Sequence, residues 1–228
     1  MKAKQTLLLL AFLSSGAAAQ ADPDTLVGAA VRSRPLYDGS ERQTTDVIPV
    51  LRYYGGTLFS RTTHGILEGG ARLALAGNLV AGAQMAYEPG PRDGDPGASL
   101  GAHLEWSGKA GPVPLNALLR LRDQLESERG AQLDARLTVG LYEGGGLRAG
   151  VFGQATWADA KHFAAYYEVA DSGLLYTSLG VLGSYELSRR WSAVGLAERR
   201  RLADEPTRSA FVSDRSASYV MLGLGYRF

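Results

Sequence analysis

The feature that most constrains this chain is a hydropathy period of two, kept over segments longer than ordinary soluble strands. Leu100, Ala102, Leu104 and Trp106 interleave with Ser99, Gly101, His103 and Glu105. Ala131, Leu133, Ala135, Leu137, Val139 and Leu141 interleave with Gln132, Asp134, Arg136, Thr138 and Gly140. Leu147, Ala149, Val151, Ala155 and Trp157 interleave with Arg148, Gly150, Gln154 and Thr156. Successive side chains of a strand point to opposite faces, so each segment carries one apolar and one polar surface. A helix would need apolar residues at i, i+3 and i+4, which these runs lack. Their length is close to the roughly 9 to 11 residues a tilted strand needs to cross a bilayer, whereas soluble strands run to about 5 or 6.

A soluble sandwich would show the same alternation, but two further features favour a membrane. Tyr87, Trp106, Tyr142, Trp157, Tyr185 and Trp191 sit at segment ends, where interfacial aromatic girdles belong. The connections also alternate in length, as the short periplasmic turns and longer external loops of outer-membrane barrels do. From the C-terminus, Leu202 to Ser216 is long and Ser188 to Arg190 tight; Ala158 to Gly173 is long and Glu143 to Gly146 short. Gln124 to Gly130 is medium and Ser107 to Pro112 fairly short, and Glu88 to Gly97 is long while Gly77-Asn78 makes a two-residue turn. The same parity puts Arg61 to Gly65 outside, Gly55-Gly56 in the periplasm and Pro35 to Asp46 outside. The expectation is all-β, an antiparallel transmembrane β-barrel of twelve strands with both ends in the periplasm. Ten is the alternative, because the segments between Val47 and Leu75 are poorly separated.

Composition agrees. Glycine is frequent, 29 of 228 residues, and dispersed, as suits tight turns and crowded backbones rather than one flexible linker. There is no cysteine, which excludes disulfide and thiolate chemistry and fits an oxidising compartment. Lys2 and Lys4, the apolar run Leu7 to Leu13 and the small residues up to Ala21 have the layout of a secretory signal peptide. Ala17 to Ala19 and Ala19 to Ala21 offer Ala-x-Ala sites, so cleavage is expected near Ala19 or Ala21, leaving residues 22–228 as one barrel domain. Loss of the two lysines takes the formal charge from +1 to −1, and nothing points to nucleic acid. No later stretch is apolar for the roughly 18 residues a membrane helix needs.

If the apolar stripe faces lipid, its polar complement faces the lumen. That set comprises Glu68, Arg72, His103, Glu105, Arg120, Arg122, Asp134, Arg136 and Arg148. A charge on the lipid side costs about 2 to 4 kcal/mol at mid-bilayer, which enforces this facing. The set could line a path for small solutes, or pair into a network that plugs and stiffens the barrel.

Catalytic, cofactor and metal sites are not expected. The histidines are His64, His103 and His162, and none has a serine at short spacing on its own strand face to activate. His103 has Glu105 as its same-face neighbour, yet a lone lumen histidine is more often structural. No Cys/His cluster suggests zinc, and Asp93-Gly94-Asp95 is too short for a calcium loop.

The last segment, Ser216 to Phe228, places Val220, Leu222, Leu224, Tyr226 and Phe228 at alternate positions. Such a terminal strand resembles the signal recognised by the barrel assembly machinery, with Tyr226 and Phe228 its aromatic end. Near the other end, Leu26 to Val31 leads to Arg34-Pro35-Leu36-Tyr37-Asp38-Gly39-Ser40 and then Ile48-Pro49-Val50-Leu51-Arg52-Tyr53. Downstream come Ala165-Tyr166-Tyr167-Glu168-Val169, Gly173-Leu174-Leu175-Tyr176, Ser184 to Leu187, Trp191, Leu202-Ala203, Ser209 and the closing Gly225-Tyr226-Arg227-Phe228. In order and spacing these stretches resemble the MipA/OmpV family of outer-membrane proteins. The resemblance implies a scaffold that joins a lytic transglycosylase to a penicillin-binding peptidoglycan synthase, embedded in outer-membrane lipid. A narrow solute channel and an external receptor or adhesin are the alternatives.

Overall fold

The computed structural model describes residues 25–63, 65–88 and 96–228. The signal-like segment, His64 and Asp93 to Asp95 lie outside the described residues.

Twelve strands close into one antiparallel barrel in which each pairs with its sequence neighbours and the last with the first. They are β1 (Leu26–Pro35), β2 (Gln43–Gly55), β3 (Leu58–Thr63), β4 (Ile66–Ala76), β5 (Leu79–Glu88), β6 (Gly97–Ala110), β7 (Val113–Gln124), β8 (Ala131–Gly144), β9 (Leu147–Ala158), β10 (Gly173–Glu186), β11 (Trp191–Leu202) and β12 (Ser216–Arg227). Closure comes from β1 and β12, in register from Leu26 opposite Arg227 to Ser33 opposite Val220. A closed ladder leaves no edge, which is what hydrocarbon demands of a spanning sheet.

Twelve strands, not ten, are present because the poorly separated region holds a short one. β3 has six residues and meets β2 at only four pairs, from Arg52–Arg61 to Gly55–Leu58. Past that seam the Thr62 hydroxyl replaces the ladder: it accepts from the Leu51 N–H at 3.2 Å and donates to the Pro49 carbonyl at 2.9 Å. The first external loop is shorter than its polar sequence suggests, since β2 already begins at Gln43. Residues 43–46 pair with Arg32 to Pro35 of β1, and their polarity belongs to a rim above the apolar band. β6 likewise runs on to Ala110, so its hairpin turns on Gly111 and Pro112 alone.

Lipid-facing side chains form the apolar band. Leu73, Met85, Leu137, Leu179, Val181 and Leu222 are all exposed. Trp106, Tyr142, Tyr185 and Trp191 are exposed at the short-turn end, Tyr87 and Trp157 at the other, giving the two girdles of a membrane barrel.

One element breaks the alternation. The β9–β10 connection contains a helix, α1 (Ala160–Tyr167), capped by the Asp159 side chain, which accepts from the His162 N–H at 2.8 Å. Glu168 ends the helix in the left-handed region at φ 57°. Gly130, at φ +68°, lies against this cap, where a Cβ would strike Asp159 and the His162 backbone. Only glycine suits both the conformation and the approach.

Candidate functional site

The polar halves of the strands meet inside the barrel. Arg120 on β7 is 2% exposed. Its Nε and Nη2 donate to Oδ2 of Asp134 on adjacent β8 at 3.0 and 2.8 Å, and its Nη1 donates to Glu68 on β4. Since β5 and β6 separate β4 from β7 in the sheet, the Arg120–Glu68 contact spans the interior. Arg122 sits one inward position further along β7. It donates to Asp134 Oδ2 at 2.9 Å, to Gln132 Oε1 at 2.7 Å and to Glu88 on β5. Asp134 also accepts from the Thr156 hydroxyl at 2.8 Å. Arg61 on β3 reaches Glu105 on β6 at 3.0 Å and Glu68 at 3.5 Å. Each buried charge therefore meets an opposite one, which offsets the desolvation that would otherwise expel it.

Arg136 differs. Its Nε and Nη2 donate to Gln154 Oε1 at 2.9 and 2.6 Å and its guanidinium lies 5.1 Å from the Phe152 ring centroid. Among the described residues no carboxylate is in ion-pair contact with it. It lines two cavities at once. One, of about 130 Å³, lies towards the external end among Arg120, Arg122, His162, Tyr176 and Arg200. The other, of about 770 Å³, lies towards the periplasmic end and takes in Leu26, Val50, Val194 and Met221. Arg136 is the lining residue that the two spaces have in common.

The external end is covered from two sides. Phe163 and Tyr167 of α1 are buried in an apolar cluster with Ala158, Leu175, Tyr176 and Leu202. His162 is 2% exposed, stacked on Tyr166 at 4.0 Å and met by Gln132 Nε2 at 2.9 Å. Burial, with the Arg122 charge nearby, lowers the His162 pKa to about 4, so the ring is neutral at neutral pH. Burial likewise pushes the Tyr166 hydroxyl up to about 12. From the opposite side, Asp38 of the β1–β2 loop accepts from the Tyr219 hydroxyl of β12 and from Arg200 of β11, the latter at 3.1 Å. Arg200 lies between the Tyr176 and Tyr219 rings, 4.8 and 4.0 Å from their centroids, and donates to Glu198 at 2.9 Å. The Arg34-to-Ser40 motif thus ties the first hairpin to the last.

Of the nine polar residues singled out from sequence, Glu68, Glu105, Arg120, Arg122 and Asp134 share the ion-pair network, and Arg136 adjoins it. Arg72 stands apart, its guanidinium 4.2 Å from the Tyr54 ring centroid. Arg148 pairs with Glu143 at 3.1 Å across the β8–β9 turn, with half its side chain exposed; the turn places it at the periplasmic mouth. His103 and Glu105 share a face without forming an acid–histidine pair. His103 Nδ1 lies 2.5 Å from Gln84 Oε1, and Glu105 is held by Arg61 and by Asn116 at 2.9 Å. Among the described residues no three His, Asp or Glu side chains are grouped to hold a metal ion. Sequence reasoning passed over Arg61, Glu88, Asp38, Glu198 and Arg200. Glu198 and Arg200 carried a signal, since they alternate with outward positions on a strand already recognised.

A closed twelve-strand barrel with an apolar outer band, two aromatic girdles and a charged interior is an integral β-barrel protein of the outer membrane. Within that class, the model described as MltA-interacting protein MipA matches residues 27–228, and the chain belongs to this family. Among solved structures, the NanC porin is similar over 90% of this chain and 100% of its own, at 10% identity and TM-score 0.54. LpxR from Salmonella typhimurium is similar over 89% of this chain and 100% of its own, at 11% identity and TM-score 0.50. At these identities the likeness is one of fold alone. Among curated proteins no relative matches the sequence.

Proposed function

We propose that this protein is a non-enzymatic, non-conducting outer-membrane barrel that docks peptidoglycan machinery, with a lytic transglycosylase as its first partner and a penicillin-binding synthase as a second. One observation carries the reading: Arg120 bridges Glu68 on β4 and Asp134 on β8 through the interior, which favours a lumen used for stiffening over one used for transport. The family description, MltA-interacting protein, supplies the partner class. The periplasmic turns are short, such as Gly77-Asn78 and Gly145-Gly146. Stable interfaces bury about 800 Å² a side, so the contact is assigned to several of these turns acting together. The refolded barrel should capture a purified lytic transglycosylase in pull-down and stay silent in planar bilayers. Failure of capture at micromolar concentration would remove the reading.

A narrow channel for small solutes is the second reading, favoured by the position of Arg136 between two cavities. Defined conductance steps from the unaltered protein would establish it. An external receptor is less supported, because Phe163 and Tyr167, the aromatics that enrich the longest helical loop, are buried inward.

A further inference from the structure

The outer wall contains one anomaly. Among the described residues, the only basic ones on the outward faces of the strands are Arg199 and Arg201, both on β11 and both exposed. Alternation splits the run Glu198-Arg199-Arg200-Arg201: Glu198 and Arg200 point inward and pair at 2.9 Å, while Arg199 and Arg201 point to lipid. Arg199 Nη1 donates to the Ser218 hydroxyl at 2.7 Å. Among the described residues neither Arg199 nor Arg201 forms an ion pair with a carboxylate. Every other strand arginine discussed above has found a partner within the barrel.

The surroundings define what could neutralise them. Arg201 is in register with Thr177 of β10 and Ser216 of β12, and Arg199 with Leu179 and Ser218. Two arginine positions about 7 Å apart along the strand are thus flanked by three hydroxyl-bearing residues, Thr177, Ser216 and Ser218. Beside them the wall recedes into an apolar groove of about 690 Å³, floored by Gly153 and Ala197, sided by Leu179, Val181 and Val220, and reaching Arg199 at its outer end. β11 enters the long 203–215 loop just past Arg201, so the pair sits at the external edge of the apolar band. There an outward arginine costs about 0 to 1 kcal/mol instead of the 2 to 4 of mid-bilayer. Guanidinium is the side chain best suited to phosphate, which it binds through paired N–H donors.

We propose that Arg199, Arg201 and this groove form a binding site for a phosphorylated lipid of the outer leaflet, with the diphosphorylated lipid A of the outer membrane as its occupant. The two arginines, with Ser218 beside them, engage a phosphate, and an acyl chain lies along Gly153 and Ala197. Charge complementarity fixes the head, and the position at the external rim selects the outer-leaflet lipid. The site is separate from the lumen and does not depend on the docking function.

Native mass spectrometry of the refolded protein in detergent tests this, using added diphosphorylated lipid A, its dephosphorylated form, and phosphatidylglycerol. Wild type should retain the diphosphorylated lipid about tenfold or more over the dephosphorylated one, since each arginine near a lipid headgroup contributes roughly a fivefold gain. Arg199→Gln combined with Arg201→Gln should abolish that preference, while Asp123→Asn, an outward charge on β7, should leave it intact. Heat-modifiable migration verifies that each variant is folded. Equal retention by wild type and the double variant would overturn the site, and phosphatidylglycerol binding as tightly as lipid A would overturn its occupant.

Discussion

Arg120 on β7 and Glu68 on β4 form an ion pair across the interior of the barrel, between strands that share no backbone hydrogen bond. Asp134 on β8, beside β7, is the second carboxylate of Arg120 and serves Arg122 as well. Asp134→Ala leaves two buried guanidiniums with one carboxylate each. Breaking a buried pair costs about 3 to 5 kcal/mol, so the urea midpoint of the barrel in liposomes should fall markedly. An unchanged midpoint would show that the network adds little to stability.

Arg136 tests occlusion more directly. Because it lines both cavities, Arg136→Ala should produce conductance steps in planar bilayers where the wild type gives none. Silence of a correctly folded variant would place the obstruction in the Arg120 network instead.

The external cover should respond to acid. The folded pKa of His162, about 4, lies below its ordinary 6.5 because the buried ring resists charging. Between those values the opened state binds more protons, so stability falls as pH falls. The contribution is complete above about pH 6.5 and is lost progressively towards pH 4. Protease cutting of the 159–172 segment should therefore rise across that window, and His162→Phe should flatten the profile.

The facing of β8 predicts an asymmetry between neighbours. Leu137 is 48% exposed on the lipid side, while Thr138 points inward. Leu137→Arg should cost about 2 to 4 kcal/mol and depress assembly, whereas Thr138→Arg keeps its charge within the polar interior. Equal yields in outer-membrane fractions would mean that the facing is wrong.

At the periplasmic rim Phe228 meets Tyr226 edge-on at 5.3 Å, and Tyr226 meets Trp191 in the same way at 5.3 Å. Removing Phe228 should lower the amount of heat-modifiable barrel recovered from the outer membrane. A yield equal to wild type would deny Phe228 a part in assembly.

The barrel was legible in the hydropathy pattern alone. A period of two decides which side of each strand is apolar, and the hydrocarbon penalty leaves one facing for residues such as Leu137 and Arg136. Loop-length parity likewise gave the strand number, faltering only at β3, whose six residues barely interrupt the pattern. Sequence could not say which interior charges meet. Arg120 and Glu68 are 52 residues apart on non-adjacent strands, and their contact depends on the diameter and register that closure imposes. The same holds for α1, whose aromatic residues look free in a loop until the barrel mouth offers them a place to be buried. The Arg120–Glu68 bridge through the lumen was decided there, because only the curvature of the closed sheet brings β4 and β7 within reach of an arginine side chain.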